Sequence, residues 1–233
     1  MIGNTFAFIS YFSFSIIFFF YLAYYVVLLH FSRRQSARPP NTKDSEGVTP
    51  YVSVLIPIHN EEKVIVKKIQ NIEEIDYPSN RIEVIFVDGQ STDRTPELIL
   101  EKIKECKKSF KLIRQEKRDG YTNALIRGIL ASQGEIIVAM DAASYYYPET
   151  LNQLIRHFAD PKIGSVTGKE IVLSNSRKLG FQMEQSYRYF YDFMRRAETE
   201  MDSTPDSKGE ILAVRRDICI NLIPPMKHSS NAS

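Results

Sequence analysis

Two aspartates stand where apolar runs break off. Glu135 to Met140 runs directly into Asp141, and Ile82 to Val87 runs into Asp88, while a third run, Val52 to Ile56, stops at Pro57 just ahead of His59, Asn60 and Glu61. In an open parallel α/β sheet the carboxyl ends of the strands share one edge, and ligands bind in the crevice outside it. Carboxylates there accept hydrogen bonds from ribose and base, or hold a divalent cation beside phosphate oxygens. The pattern predicts one crevice lined by His59, Asn60, Glu61, Asp88 and Asp141, with a nucleotide-containing ligand as its occupant. The plainer alternative, that Asp88 and Asp141 only cap helices, is weakened by their matching positions after two strands. Asp93 reads as such a cap, and His59 as a loop residue without acid–base work.

The segments between these runs must be helices for that edge to exist. Asn60 is placed to cap a helix with Glu61 and Glu62 in its first turn and Ile65, Ile69 and Ile72 on one face. After the loop DGQSTD, Thr95 and Pro96 supply the cap and first position of a helix carrying Leu98, Ile99 and Ile103. Lys111 to Arg114 is a short strand. Tyr121 to Ser132 is a helix with Ala124, Leu125, Ile129 and Leu130 inward, and Pro148 precedes one with Leu151, Leu154, Ile155 and Phe158 inward. Alternating strands and helices predict a three-layer α/β sandwich around a mostly parallel sheet. Neither G-x-G-x-x-G after the first strand nor G-x-x-x-x-G-K-[ST] occurs, which argues against dinucleotide enzymes and P-loop NTPases.

Composition narrows the partners. The chain has 233 residues, 43% of them apolar, enough for a folded domain. A net charge of +2, with lysines interspersed among glutamates, gives no footprint for nucleic acid. Cys106 and Cys219 are isolated, so neither a zinc site nor a disulfide is expected; buried thiols in a reducing compartment are. From Phe6 to Phe31 there is no charged residue, long enough to cross the roughly 30 Å hydrocarbon core as a helix. Arg33, Arg34 and Arg38 follow and nothing basic precedes. The segment therefore reads as a single-pass, retained N-terminal anchor (1–31) with the rest in the cytoplasm. Residues 32–50 form a polar tether, and 51–233 the globular part. In the helix Phe181 to Met201, Tyr187, Phe190, Tyr191 and Met194 recur at helical spacing. Core packing is the favoured reading of that stripe, over contact with an acceptor or the membrane surface. Arg195 and Arg196 read as a solvated basic face or as contacts for phosphate or anionic lipid.

Five segments in order, VSVLIPIHNEE (52–62), VIFVDGQSTDRT (84–95), RDGYTNALIRG (118–128), GEIIVAMDAASYYYPETL (134–151) and GEILAVRR (209–216), resemble the family 2 glycosyltransferases of the GT-A fold. The resemblance implies sugar transfer from a UDP- or GDP-sugar, with inversion, to a lipid-linked or polysaccharide acceptor near the membrane. Pro57, His59, Glu61, Asp88, Arg118 and Asp141 become donor-binding residues. Asp141 takes the first position of the family's D-x-D metal motif, for Mg²⁺ or Mn²⁺, and Ala143 replaces the second acid. Tyr121 stands where a lysine is frequent, with Arg118 and Arg127 nearby. Gly209, Arg215 and Arg216 would lie on the phosphate or acceptor side. The family's catalytic base, an acidic pair after the fifth segment, has no counterpart, since no Asp or Glu follows Asp217; the Q-x-x-R-W segment is absent and there is no tryptophan. The expectation is a C-terminally incomplete domain with no catalytic residue identifiable. A second polypeptide then supplies the missing part, or the chain is a non-catalytic or split nucleotide-sugar-binding module.

Overall fold

Short apolar runs alternating with amphipathic segments leave few ways to bury both faces of a strand, and the computed structural model adopts the layered one. It describes residues 2–32, 49–168, 171, 179–201 and 211–223. Two compact units are present: Met1–Arg38 with Ile171–Ser207, and Pro39–Glu170 with Lys208–Ser233.

The second unit holds a six-stranded sheet. Its strands are β1 (Val52–Ile58), β2 (Ile82–Asp88), β3 (Ser109–Arg114), β4 (Ile136–Met140), β5 (Ser165–Thr167) and β6 (Ile211–Arg215), in the order β3-β2-β1-β4-β6-β5. β1 to β4 are parallel, whereas β6 runs antiparallel to both β4 and β5. Every residue of β2 is buried, as a central parallel strand requires. Alternate side chains separate into two cores. On one face Val54, Ile56, Phe86, Val138 and Met140 pack with Ile65, Ile69 and Ile72 of α2 (Ile65–Glu73), Ile99 of α3 (Thr95–Lys102) and Leu151 and Leu154 of α5 (Thr150–Ile155). On the other, Leu55, Ile85, Val87 and Ile137 meet Ala124, Leu125 and Ile129 of α4 (Gly120–Ala131). α7 (Arg216–Leu222) follows β6 and packs against α4. Cys106 and Cys219 are half-buried thiols. The expected three-layer architecture is present.

At the amino edge of the parallel strands a buried carboxylate ties four segments together. Glu83 is fully buried and accepts hydrogen bonds from Ser53 Oγ at 2.6 Å, Gln133 N at 2.6 Å and Lys111 Nζ at 2.7 Å. Ser53 Oγ in turn accepts from Gly134 N at 2.7 Å. The chain passes so close that a Cβ on Gly134 would lie 2.4 Å from Ser53 N, so only glycine fits.

The first unit pairs α1 (Ile2–Ser32) with α6 (Leu179–Met201). Phe6–His30 has a mean hydropathy of 2.2 and is long and apolar enough to cross a membrane. Tyr24 Oη donates to Glu198 Oε1 at 2.6 Å, and the rings of Tyr25 and Phe193 lie 6.0 Å apart. The aromatic stripe of α6 is not the core face expected from its spacing. Tyr187 and Phe190 are 55% and 48% exposed, while Tyr191 and Met194 are half-buried, because α1, the partner of α6 among the described residues, covers only a narrow strip. Most of the expected tether, residues 33–48, lies outside the described residues.

Desolvation pushes the Glu83 carboxyl up, but the hydrogen bonds from Lys111, Ser53 and Gln133 outweigh it and hold the group below the usual glutamate range. Its contribution to stability is therefore complete above the unfolded-state glutamate pKa and disappears as pH falls through the lowered folded value. Glu83→Leu leaves the Gln133 N–H and Lys111 without this partner and is expected to cost about 3 kcal/mol. Urea unfolding at pH 7 checks this. The gap between wild type and variant should close on acidification below pH 4.

Candidate functional site

The register brings the carboxyl ends of the four parallel strands to one edge. Ile58 is paired with Asp88 and Asp88 with Arg114, while β4 runs beside β1 and delivers Asp141. Loops leaving this edge carry backbone N–H groups that no strand can satisfy, and side chains from the neighbouring loop satisfy them instead. Asn60 N donates to Ser91 Oγ at 2.9 Å, Thr92 N to Asn60 Oδ1 at 2.8 Å, and Glu61 N to Thr95 Oγ1 at 2.8 Å. Glu62 N donates to Asp93 Oδ2 at 3.1 Å, and Arg94 N to Glu62 Oε2 at 3.3 Å. Asn60 is therefore not the cap of α2. Its φ is 56°, a left-handed turn that Asn tolerates, and α2 begins only at Ile65. Asp93 stands one residue before the N-cap Arg94, and its Oδ1 accepts from Thr95 N, the first N–H of α3, at 3.0 Å. Burial works against its charge, but these bonds hold the carboxyl below the usual range.

Asp88 is fully buried. Its Oδ1 accepts from Ser91 N at 3.0 Å and its Oδ2 from Arg114 Nε at 3.1 Å, so it shapes the loop after β2. Around Gly89 the accounting is incomplete. His59 Nδ1 and both amide atoms of Gln115 are buried without a hydrogen-bond partner among the described residues. A Cβ on Gly89 would sit 3.5 Å from Gln115 Oε1 and 3.9 Å from His59 Cβ, so these groups gather at one spot. Buried polar atoms left unpaired are costly, and they mark a place where a ligand's polar edge would be welcome. Pro57 and Glu61 are half-exposed at the same edge. Burial and the charge of Asp93 push the Glu61 carboxyl up, with His59 opposing. Arg118 is exposed on the loop into α4, whose Asp119 pairs with Arg127 at 3.5 Å.

Asp141 is half-buried, and its N–H donates to Tyr146 Oη at 3.3 Å. Tyr121 lies within reach of its charge: burial and the Asp141 carboxylate together push the phenol up. Ala143 is exposed, and no group of three or more His, Cys, Asp or Glu side chains suited to a metal occurs among the described residues. A single accessible carboxylate nevertheless fits one mode of Mg²⁺ or Mn²⁺ binding, in which one or two acids share the ion with substrate phosphates and water.

Two expectations fail on strand direction. Because β6 is antiparallel, Arg215 pairs with Ile136 at the start of β4, at the opposite edge from Asp141. Arg215 Nε donates to Ile163 O at 2.9 Å and an Nη2 to Phe158 O at 2.8 Å, while Arg216 Nε reaches Ser132 Oγ at 3.4 Å. Both arginines stitch the far edge and neither belongs to the crevice. Gly209 lies outside the described residues. Neither the type nor the spacing of Gln115 gives a sign of its place at this edge. Lys68 and Asn71 of α2 also meet the loop after β4, and a lysine on the apolar face of Ile65, Ile69 and Ile72 is the sequence signal for the first of them.

The model of glycosyl transferase family 2 matches residues 53–223. The chain is 28% identical over 183 residues to the β-monoglucosyldiacylglycerol synthase of a Nostoc strain, covering 77% of this chain and 39% of that protein. It is 30% identical over 160 residues to the poly-β-1,6-N-acetyl-D-glucosamine synthase of Staphylococcus aureus, covering 68% of this chain and 37% of that one. It thus spans under two fifths of the length of these curated relatives. Among solved structures, the mannosyltransferase PcManGT of Pyrobaculum calidifontis, in complex with GDP-Man and Mn²⁺, superimposes with a TM-score of 0.70 at 28% identity, over 86% of this chain and 55% of that one.

The cross-bonded loops make a separable prediction. Asn60→Gly keeps the left-handed turn and loses the bond to Thr92, for an expected loss of about 1 kcal/mol. Asn60→Ala adds backbone strain, for about 2 kcal/mol in total. Thermal unfolding of the two variants should rank them in that order.

Proposed function

This chain belongs to glycosyltransferase family 2, and we propose that it transfers a sugar from a UDP- or GDP-sugar to a lipid-linked or polysaccharide acceptor at a membrane. The observation that carries the reading is the position of Asp141, accessible at the carboxyl end of β4 beside the interlocked loops after β1 and β2. The donor's base and ribose lie against Pro57, His59 and Glu61, over the loop that Asp88 shapes, and Arg118 meets the diphosphate as a fixed positive charge. Asp141 is the residue that would hold Mg²⁺ or Mn²⁺ beside the diphosphate. The cation, when bound, neutralises the charge that develops on the departing group. Transfer is a direct displacement in which the acceptor oxygen bonds to the anomeric carbon as the bond to the diphosphate breaks on the opposite side, inverting the centre. The acceptor's proton needs a base, and none of the described residues is assigned to it. The lipid and polysaccharide products in the relatives' names support the acceptor class. α1, with Arg33, Arg34 and Arg38 after it, supports a cytoplasm-facing anchor.

A second reading, a module that binds nucleotide-sugar without transferring it, is favoured by Ala143, exposed where a second acid would share the cation. One experiment separates the two. The full chain in membranes is supplied with radiolabelled UDP-glucose, UDP-N-acetylglucosamine or GDP-mannose and Mn²⁺. Label is expected in the lipid or polymer fraction, with Asp141→Asn lowering the rate about 100-fold, as loss of several kcal/mol of charge stabilisation requires. Transfer that Asp141→Asn leaves unchanged overturns the assignment; donor binding without transfer supports the second reading.

A further inference from the structure

Lys68 occupies a position where the fold asks for an apolar residue. It shares the inward face of α2 with Ile65, Ile69 and Ile72 and is itself fully buried. An ammonium taken out of water is costly unless its environment compensates it, so its presence requires a reason. Its Nζ donates to the backbone oxygen of Ser144 at 2.6 Å and lies 4.2 Å from the centroid of the Tyr146 ring. Almost one turn further along α2, Asn71 meets the same loop. Tyr146 N donates to Asn71 Oδ1 at 2.8 Å, and Asn71 Nδ2 donates to Tyr146 O at 2.8 Å. The amide thereby pairs with both backbone groups of one residue, as a neighbouring strand would. Tyr146 passes the constraint back, because its hydroxyl accepts the N–H of Asp141. The far end of the loop is pinned too: Asp76 N donates to Pro148 O at 2.8 Å, and Asn152 Nδ2 to Asp76 O at 2.7 Å.

The segment from Asp141 to Pro148 has no regular secondary structure, so its shape rests on these bonds. We infer that Lys68 and Asn71 are positioning residues, a clamp on α2 that holds the Asp141 loop, through Ser144 and Tyr146, in the conformation that receives the cation and diphosphate. With Ala143 in place of a second acid, no other motif carboxylate fixes the ion. The geometry of Asp141 must then come from the loop's anchoring, and a loose supporting shell forfeits much of a site's affinity. The inference rests on the donor reading of the site and adds the residues that preorganise it.

The test uses the full chain in detergent micelles and measures UDP and GDP affinity by calorimetry, with and without Mn²⁺, beside thermal unfolding. Lys68→Met keeps the aliphatic stem and removes the ammonium; Asn71→Asp keeps the acceptor for Tyr146 N and removes the donor. Each is expected to weaken the Mn²⁺-dependent part of nucleotide affinity about tenfold, the scale of a perturbed supporting shell around a metal ligand. Metal-free affinity should stay within about twofold, since the loops after β1 and β2 keep their own bonds. Combining Asn71→Asp with Asp141→Asn should add little to Asp141→Asn alone, because both act through one carboxylate. Wild-type Mn²⁺ dependence in both variants overturns the clamp while leaving the donor reading intact. Equal loss with and without Mn²⁺, accompanied by a lowered Tm, assigns a merely structural role and also overturns it. A wild-type chain that binds neither nucleotide removes the donor reading and the clamp with it.

Discussion

Backbone that leaves the end of a strand must find hydrogen-bond partners that the sheet no longer supplies, and the crevice edge of this fold is organised by that requirement. The loops after β1 and β2 solve it mutually: Asn60, Glu62, Ser91, Asp93 and Thr95 each satisfy a backbone group across the gap, so neither loop holds its shape alone. The loop after β4 solves it by borrowing from α2. Two sets of bonds, one between the loops after β1 and β2 and one from α2 to the loop after β4, thereby brace the rim where the strands end. Rigidity of this kind is what a transfer reaction needs, because the reacting groups are placed before the ligand arrives.

Two buried charges serve the two ends of the sheet in different ways. Glu83 acts at the amino edge, where Ser53, Gln133 and Lys111 converge on it and fix the starts of β1, β2, β3 and β4 relative to one another. Lys68 acts at the carboxyl edge and fixes only a loop. A whole buried ion pair replaced together by apolar residues of similar size often loses no stability, whereas removing one partner alone does. A charged group with several directional partners does, however, set geometry more sharply than a methyl group. Register at one edge and loop conformation at the other are the geometries on which the crevice depends.

The architecture was legible because it rests on periodicity. The runs ending at Pro57, Asp88 and Asp141 and the inward sets Ile65–Ile69–Ile72 and Leu151–Leu154–Ile155 survive intact in the two cores. Strand direction was not legible: GEILAVRR reads as an apolar run whichever way it lies, and its antiparallel course is what moves Arg215 and Arg216 to the wrong edge. Helix starts failed locally for a related reason. Asn suits a cap and a left-handed turn equally, and only the partner across the gap, Thr92, decides between them. Gln115 and Asn71 escaped because their importance lies in what surrounds them, and neighbours distant in the chain leave no mark on local spacing.

The same ambiguity governs the acids, and here burial resolves it. Asp88, Asp93 and Asp141 all follow strands or open helices, and by type each could meet a cation or a ribose. Asp88 is sealed between Ser91 and Arg114, and Asp93 is occupied by Thr95 and Glu62, so both negative charges are already balanced by N–H dipoles or a guanidinium. That matters for an anionic ligand, since uncompensated carboxylates along the rim would repel a diphosphate. Burial and Asp93 push the Glu61 carboxyl up, with His59 opposing. Asp141, half-buried at the end of β4, is the motif acid that the donor reading places at the crevice. In the proposed site, holding a cation through one carboxylate would place the remaining burden on loop geometry, and the bonds from α2 to Ser144 and Tyr146 bear on that geometry.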